Sequence, residues 1–509
     1  MSDTKTIKID GEHLIIDDVY KVACQRARVE IAESAVQKVK ASENLLGELI
    51  EKGEALYGIT TGIGEFSKIL IPKEQALELQ KKIIYSHAAG IGKPFPEKEV
   101  RAAMLLRANT LSKGYSGVRL ALIEQFMNLL NKNVIPVVCE KGSVGTSGDL
   151  SPLAQLAEVL MGEGEAFYEG TRMKGAEALK LAGIEPLELT YKEGLGAING
   201  SQMLTGGAAL ILHEAQRLIK SAQIASAMSI DALKSVTKAF DARLHSVRPF
   251  NGQNIVAANI RKLIENSEII ADKSKKVQDG YSLRCTPQVL GPSIDALNYV
   301  KNQVEIEMNS AVDNPLFFAE DKVCLTGGNF HSQPVGIAMD FFAIPLTVIA
   351  GLSERHINRL LNPALSNLPD FLVEKRGLNS GFMVAQYTAA ALASENKVLS
   401  HPATVDSISV SADQEDYVSM SPIAIKKAWQ ILENVAGVIA IEMLCAAQAF
   451  DLQRPLKPGK GTEVAYNLIR EHVTFLEEDR SLYPDIEKVL NLVKTHKILE
   501  SVEKEIGNL

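Results

Sequence analysis

Tryptophan occurs once in 509 residues, and aromatic residues together make up only 6%. That scarcity argues against a stacking platform for single-stranded nucleic acid, which needs ring faces along a groove. There is no long basic run either. Lysine and arginine total 54 against 62 acids, a net charge of −8, so a broad grip on a phosphate backbone is not expected. Cysteine is sparse: Cys24, Cys139, Cys285, Cys324 and Cys445 are odd in number and lack CxxC spacing. They read as reduced thiols of a cytoplasmic protein with no zinc cluster. A membrane span is not expected, because Phe341–Leu352 is too short and Val435–Phe450 is interrupted by Glu442. The first ten residues carry acids and lysines where a secretory signal needs an apolar core. Cofactor signatures are missing as well. Gly-Ile-Gly at 62–64 and 90–92 completes no GxGxxG, Gly459-Lys460-Gly461-Thr462 lacks phosphate-loop spacing, and no HExxH occurs.

What is present is material for a large helical core: 46% hydrophobic residues and 23% charged. Glycine punctuates the first 207 residues, as loops and close backbone approaches between helices require. The texture then changes. Ala208–Arg248 runs 41 residues without glycine or proline and predicts a helix of roughly 60 Å if unbroken. Similar stretches cover Gln253–Asp279, Ser293–Asn314, Phe382–Ser400 and 423–453, and Pro345 is expected to kink a further helix. Strand patterns are limited to Thr6–Ile9 and Leu14–Ile16. The expectation is a mainly α protein: a loop-rich N-terminal domain over 1–207, then a bundle of long helices over 208–509.

One stretch carries chemistry: Gly142-Ser-Val-Gly-Thr-Ser147-Gly-Asp-Leu-Ser-Pro-Leu-Ala. Ser151-Pro152 has the order of an N-cap followed by an N1 proline, predicting a helix start there. Thr146-Ser147-Gly148 then precedes a helix N-terminus, where partial positive charge gathers. Without a Cβ, Gly148 can bring its nitrogen to the carbonyl carbon of Thr146. Cyclisation with loss of water, and dehydration of Ser147, gives a conjugated five-membered electrophile.

Around this tripeptide the chain resembles the aromatic amino acid ammonia-lyase family, the histidine and phenylalanine/tyrosine ammonia-lyases and related aminomutases. The resemblance rests on ordered blocks along nearly the whole chain. They are Tyr57-Gly-Ile-Thr-Thr-Gly-Ile-Gly, Ser86-His87-Ala-Ala-Gly, Gly142–Leu153 and Ile198-Asn199-Gly-Ser-Gln. Then come Val277-Gln278-Asp-Gly-Tyr281-Ser-Leu-Arg284, Gly327-Gly-Asn-Phe330-His, Gly377-Leu-Asn-Ser-Gly-Phe-Met383 and Ala412-Asp-Gln414-Glu415-Asp. Family members convert an X-Ser-Gly tripeptide into a 4-methylidene-imidazol-5-one (MIO) group, so the resemblance implies that Thr146, Ser147 and Gly148 form it, with no external cofactor and no metal. It also implies an ammonia-lyase/fumarase-like helical architecture and a homotetramer whose Tyr57, Asn199 and Arg284 need not come from one subunit.

The implied roles follow the reaction's two obstacles, a poor amine leaving group and a weakly acidic β-proton. The electrophile answers the first. Tyr57 matches the proposed base, and Tyr281 a second tyrosine given proton-transfer roles. Arg284 matches the clamp on the substrate carboxylate, assisted by Gln278. Asn199 would hydrogen-bond developing charge, while Phe330, Met383 and Gln414 line the substrate. His87 matches the histidine-type and tyrosine-type members and Glu415 the carboxylate of the histidine ammonia-lyases, and a carboxylate can accept an imidazole N–H. The resemblance thus implies L-histidine as substrate and urocanate as product, with a phenylalanine/tyrosine ammonia-lyase or 2,3-aminomutase as the alternative. The chain departs from common family residues at Thr146, Thr60, Gln155 and Tyr417. An aspartase/fumarase enzyme is set aside because Gly-Ser-Ser-x-Met-Pro is missing. A non-catalytic helical assembly fits poorly with an intact tripeptide.

Overall fold

A computed structural model describes residues 6–271 and 277–509 and is mainly helical, with only short strands. The chain divides into two compact units. The first comprises Met1–His213, Lys301–Met339 and Pro402–Lys426, and the second Glu214–Val300, Asp340–His401 and Lys427–Leu509.

In the first unit, Ile7–Ile9 pairs in parallel with Val29–Ile31, Ile7 opposite Val29. The first expected strand therefore forms, whereas Leu14–Ile16 does not, because Ile16 opens the helix Ile16–Gln25. A second ladder matters more for function. Ile91–Pro94 runs antiparallel to Cys139–Lys141, with Ile91 opposite Lys141. It sets the chain leaving the Ala76–His87 helix beside the chain entering the tripeptide loop.

The long helix differs from the expected one. It spans Gln202–Ala232, starting earlier, through Gly206 and Gly207, and stopping well before Arg248. Composition did not show the stop, since no glycine or proline marks it. Lys234 takes the left-handed conformation (φ 50°), the Ser235 N–H turns back to Ile230 O, and Asp279 Oδ2 accepts the Val236 N–H at 2.6 Å. Helical breaks of this kind need one left-handed residue and an acceptor for the freed amide. Gln253–Asp279 also shortens, to a helix over Asn251–Leu263, and part of that stretch lies outside the described residues. Thr286–Met308, Gln333–Leu361 (with Pro345 inside), Met383–Leu399 and Ser421–Asp451 supply the remaining long helices.

Two of these, Gln333–Leu361 and Ser421–Asp451, are long and apolar enough to cross a bilayer by length and composition, yet 67% and 83% of their most apolar windows are buried in protein. Every residue from Val435 to Phe450 is buried, the mark of a core helix that is apolar all round.

Candidate active site

The first unit gathers most of the tripeptide's surroundings. Ser147 sits at φ 38° and Gly148 at φ 75°, a tight left-handed pair. Ser147 pays for this with strain that an L-residue rarely bears. Gly148 forms an isolated parallel bridge to Gly200, and a Cβ there would lie 2.0 Å from Gly200 O, so only glycine fits. The next residue locks the pairing, as the Asp149 N–H donates to Gly200 O at 2.7 Å.

The helix after the tripeptide starts earlier than Ser151-Pro152 suggested. It spans Leu150–Leu160, with Asp149 in the cap position. Asp149 directs its carboxylate elsewhere: Oδ2 accepts the Leu204 N–H at 3.0 Å and Oδ1 the Ser143 hydroxyl at 3.1 Å. Ser151 instead accepts the Ala89 N–H at 3.3 Å, tying the loop beyond His87 to this helix. Burial pushes the Asp149 carboxyl up to about 7 against those hydrogen bonds.

Glu415 faces the tripeptide. It closes a small loop bridged to Val410, in which Ser411, Ala412 and Asp413 are all left-handed. The Thr146 hydroxyl donates to Glu415 Oε2, and the Ser147 hydroxyl to Oε1 at 3.5 Å. Burial raises the Glu415 carboxyl above its ordinary range, opposed by the Ser147 hydroxyl. Gln414 beside it is exposed. Tyr57, half-buried, accepts the Gly64 N–H on its hydroxyl oxygen at 2.9 Å. Burial raises its phenol, the Gly64 N–H pulls it down, and the Glu415 charge raises it further.

His87 ends its helix with Nδ1 2.7 Å from Ile83 O. That carbonyl only accepts, so Nδ1 carries the proton and Nε2 is left as an acceptor. Burial lowers the ring's pKa and favours this neutral form. Asn199 is buried, and among the described residues its Oδ1 has no hydrogen-bond partner. Phe330 is half-buried in a loop anchored two residues on, where the Ser332 hydroxyl donates to Gly145 O at 3.1 Å.

Thr60 and Gln155 also find uses. Thr60 Oγ1 accepts the Leu56 N–H at 2.8 Å and donates to Glu54 O at 2.9 Å, closing the Tyr57 loop. Gln155 Oε1 accepts the Cys139 N–H at 2.8 Å, beside the ladder.

Sequence reasoning missed the frame under Asn199. Arg107, fully buried, donates to Asn199 O, Val312 O and Gly196 O, each at 2.9 Å. Lys192 Nζ pairs with Asp313 at 2.8 Å, also fully buried. The clue was available: a lone arginine inside the apolar run 102–111 must be satisfied by partners. The serine cluster of Ser332, Ser419 and Ser421 around Gly145 O carried no such clue.

In the second unit, Gln278, Tyr281 and Arg284 come together on one turn. Arg284 Nη1 donates to Gln278 Oε1, and the guanidinium lies 4.8 Å from the Tyr281 ring centroid. Tyr281 is 73% exposed. Met383 opens the Met383–Leu399 helix, and among the described residues its side chain hydrogen-bonds none of these three.

Likeness to known proteins decides the family. Residues 14–471 match the family described as aromatic amino acid lyase. The chain belongs to the aromatic amino acid lyase family. As a member it is a carbon–nitrogen lyase. It is 50% identical over 503 residues to a histidine ammonia-lyase of Alkaliphilus oremlandii, covering 99% of each chain. Among solved structures, a tyrosine aminomutase from Streptomyces globisporus is 38% identical with a TM-score of 0.94, covering 98% of this chain and 99% of that one. A histidine ammonia-lyase from Trypanosoma cruzi is 38% identical with a TM-score of 0.92, covering 98% and 96%. The mainly helical architecture of this lyase is that of the family.

Proposed function

We propose that this aromatic amino acid lyase eliminates ammonia from L-histidine to give urocanate, and that Thr146, Ser147 and Gly148 supply the electrophile by cyclising to MIO. The tripeptide's surroundings suit such a ring. Ser147 and Gly148 are bent into the left-handed region, no Cβ can stand at Gly148, and Asn199 Oδ1 is buried with no hydrogen-bond partner among the described residues. Cyclisation joins Gly148 N to the Thr146 carbonyl carbon and expels two waters, one of them from Ser147. When formed, the group supplies an electrophile that takes up the substrate's amine.

The chain's other residues do the rest. Arg284 would hold the carboxylate through its planar fork, with Gln278 fixing the guanidinium. Tyr57 would take the β-proton. Burial, and to a lesser degree the Glu415 charge, hold its phenol above the ordinary range, and a cationic or N–H-bearing substrate would offset the Glu415 part of that rise. Asn199 offers an amide to the amine region. His87, with Nε2 as acceptor, contacts the ring.

The observation that carries the histidine reading is Glu415. It is half-buried beside the tripeptide, and among the described residues no cation pairs with it. An imidazole N–H satisfies such a carboxylate, whereas a phenyl ring would leave it buried and unpaired. The relatives named histidine ammonia-lyase, at 45–50% identity, support the same substrate.

The reading takes the chain as a cytoplasmic homotetramer. In support of the assembly, Phe66, Ile69 and Leu70 stand exposed in the first unit, where a partner chain would cover them. A substrate panel of L-histidine, L-phenylalanine and L-tyrosine tests the proposal. Urocanate and ammonia from histidine alone are expected; cinnamate, coumarate or a β-amino acid as main product overturns it.

A further inference from the structure

The turn that carries Tyr281 and Arg284 is held from behind by a buried pair with no part in the chemistry described above. Within the second unit, His356 and Arg359 stand one helical turn apart on Gln333–Leu361 and grip this turn at adjacent points. His356 Nε2 lies 2.6 Å from Ser282 O, and Arg359 Nε donates to the Ser282 hydroxyl at 2.7 Å. Gly280 makes room for the arginine, since a Cβ there would fall 1.8 Å from Arg359 Nη2. Behind His356, its Nδ1 lies 2.7 Å from Glu442 Oε1, and the Ser229 hydroxyl donates to the same oxygen at 2.8 Å. His356 and Glu442 are both fully buried.

Proton bookkeeping shows what this arrangement demands. The Ser282 carbonyl only accepts, so Nε2 must carry a proton. A lone pair on Nδ1 facing a carboxylate oxygen at 2.7 Å would be repulsive, so a second proton lies between Nδ1 and Oε1. Among the described residues Glu442 Oε2 is buried with no hydrogen-bond partner, so the carboxylate makes its contacts, to His356 and to Ser229, through Oε1. The result is a rigid strut from the core helix Ser421–Asp451, through the ring, to the backbone of the turn.

We infer that His356 and Glu442 are positioning residues that fix the turn on which Arg284 and Tyr281 meet the substrate, so that the carboxylate clamp depends on a buried proton-sharing pair. The inference rests on the proposed role of Arg284 as the clamp.

The test is calorimetric binding of 3-(imidazol-4-yl)propionate, which has the ring and the carboxylate but no amine to eliminate, with imidazole alone as the control. Glu442→Ala and Arg359→Gln, the second acting on the same turn without disturbing the buried pair, should weaken the propionate by roughly tenfold or more, the scale of one charged hydrogen bond. Imidazole binding should hold, and KM for histidine should rise more than kcat falls. Glu442→Gln should recover most of the loss suffered by Glu442→Ala, because its amide can donate to Nδ1 and leave Nε2–H on Ser282. If Glu442→Ala does not fold, His356→Leu, which can bridge neither Glu442 nor the Ser282 carbonyl, decides in its place by the same reading. Unchanged propionate affinity in folded Glu442→Ala, or no rescue by glutamine, overturns the inference while leaving the clamp intact. Arg284→Gln separates the two claims: if it leaves propionate affinity unchanged, the clamp reading fails and the positioning role falls with it.

Discussion

Gly148→Ala probes the backbone on which the proposed electrophile would depend. The new Cβ would stand 2.0 Å from Gly200 O and 2.1 Å from Gly200 C, about 1 Å inside the closest approach real Cβ atoms make. The residue must also keep φ 75°. The left-handed conformation costs an alanine about 1–2 kcal/mol, and relieving the overlap by backbone shifts costs about 1–3 kcal/mol more. A total of about 2–5 kcal/mol should appear as a lower denaturant midpoint. Relief means that Gly148 moves away from Gly200, carrying its nitrogen off the line to the Thr146 carbonyl. A displacement of about 1 Å from a reactive geometry costs on the order of 100-fold in rate, so the purified variant should be largely unprocessed at 146–148. Mass spectrometry of the tryptic peptide, followed over time after expression, reads this directly. A variant that loses both waters at the wild-type rate and unfolds at the wild-type midpoint refutes the reasoning.

Other expected outcomes follow from the same geometry. Glu415→Gln keeps shape and removes charge, and should lower kcat/KM for histidine by about 1.5–3 kcal/mol, the scale of a charge-assisted hydrogen bond; unchanged steady-state kinetics would count against the specificity role. The same variant relieves the charge that raises Tyr57, so the rising alkaline limb of its pH–rate profile should move to lower pH. Tyr57→Phe should lose nearly all elimination while keeping the two-water mass deficit; retained turnover assigns the base elsewhere. Asp149, raised from 3.8 to about 7, contributes stability fully present below pH 3.8 and lost as pH rises through 7. Ionising it costs about 4 kcal/mol, so Asp149→Asn should gain on wild type as pH climbs from 4 to 8 in paired denaturation curves. An offset that stays constant with pH would show that Asp149 does not titrate as argued.

The fold was legible where composition dictates geometry. Breaker-poor apolar stretches lie in helices at 293–308, 383–399 and 423–451, because periodic burial is a local property of sequence, although the first helix starts earlier, through Pro287 and Pro292, and stops before Asn314. The early stop at Ala232 was not legible, since it depends on Asp279, 47 residues away in the chain, capturing the Val236 amide. The same holds for Ser151-Pro152, whose capping pattern was overridden when Asp149 turned to Leu204 and Ser143. At the site, Tyr57, the tripeptide, Asn199 and Glu415 could be named from motif blocks, and all four lie in the first unit. Their supports could not. Arg107, Asp313, Glu442 and His356 act through long-range partners, and a buried charge announces only that it has a partner, not which one. Thr146 lay in plain sight, yet its hydroxyl's contact with Glu415 required the folded loop.

The mass of an active preparation tests the central claim most directly. Purified enzyme that converts histidine to urocanate should be lighter than its translated sequence by two waters, with the deficit confined to the peptide containing Thr146, Ser147 and Gly148, and Ser147→Ala should have the full mass and negligible turnover. Full, unmodified mass in a preparation that still forms urocanate would contradict it.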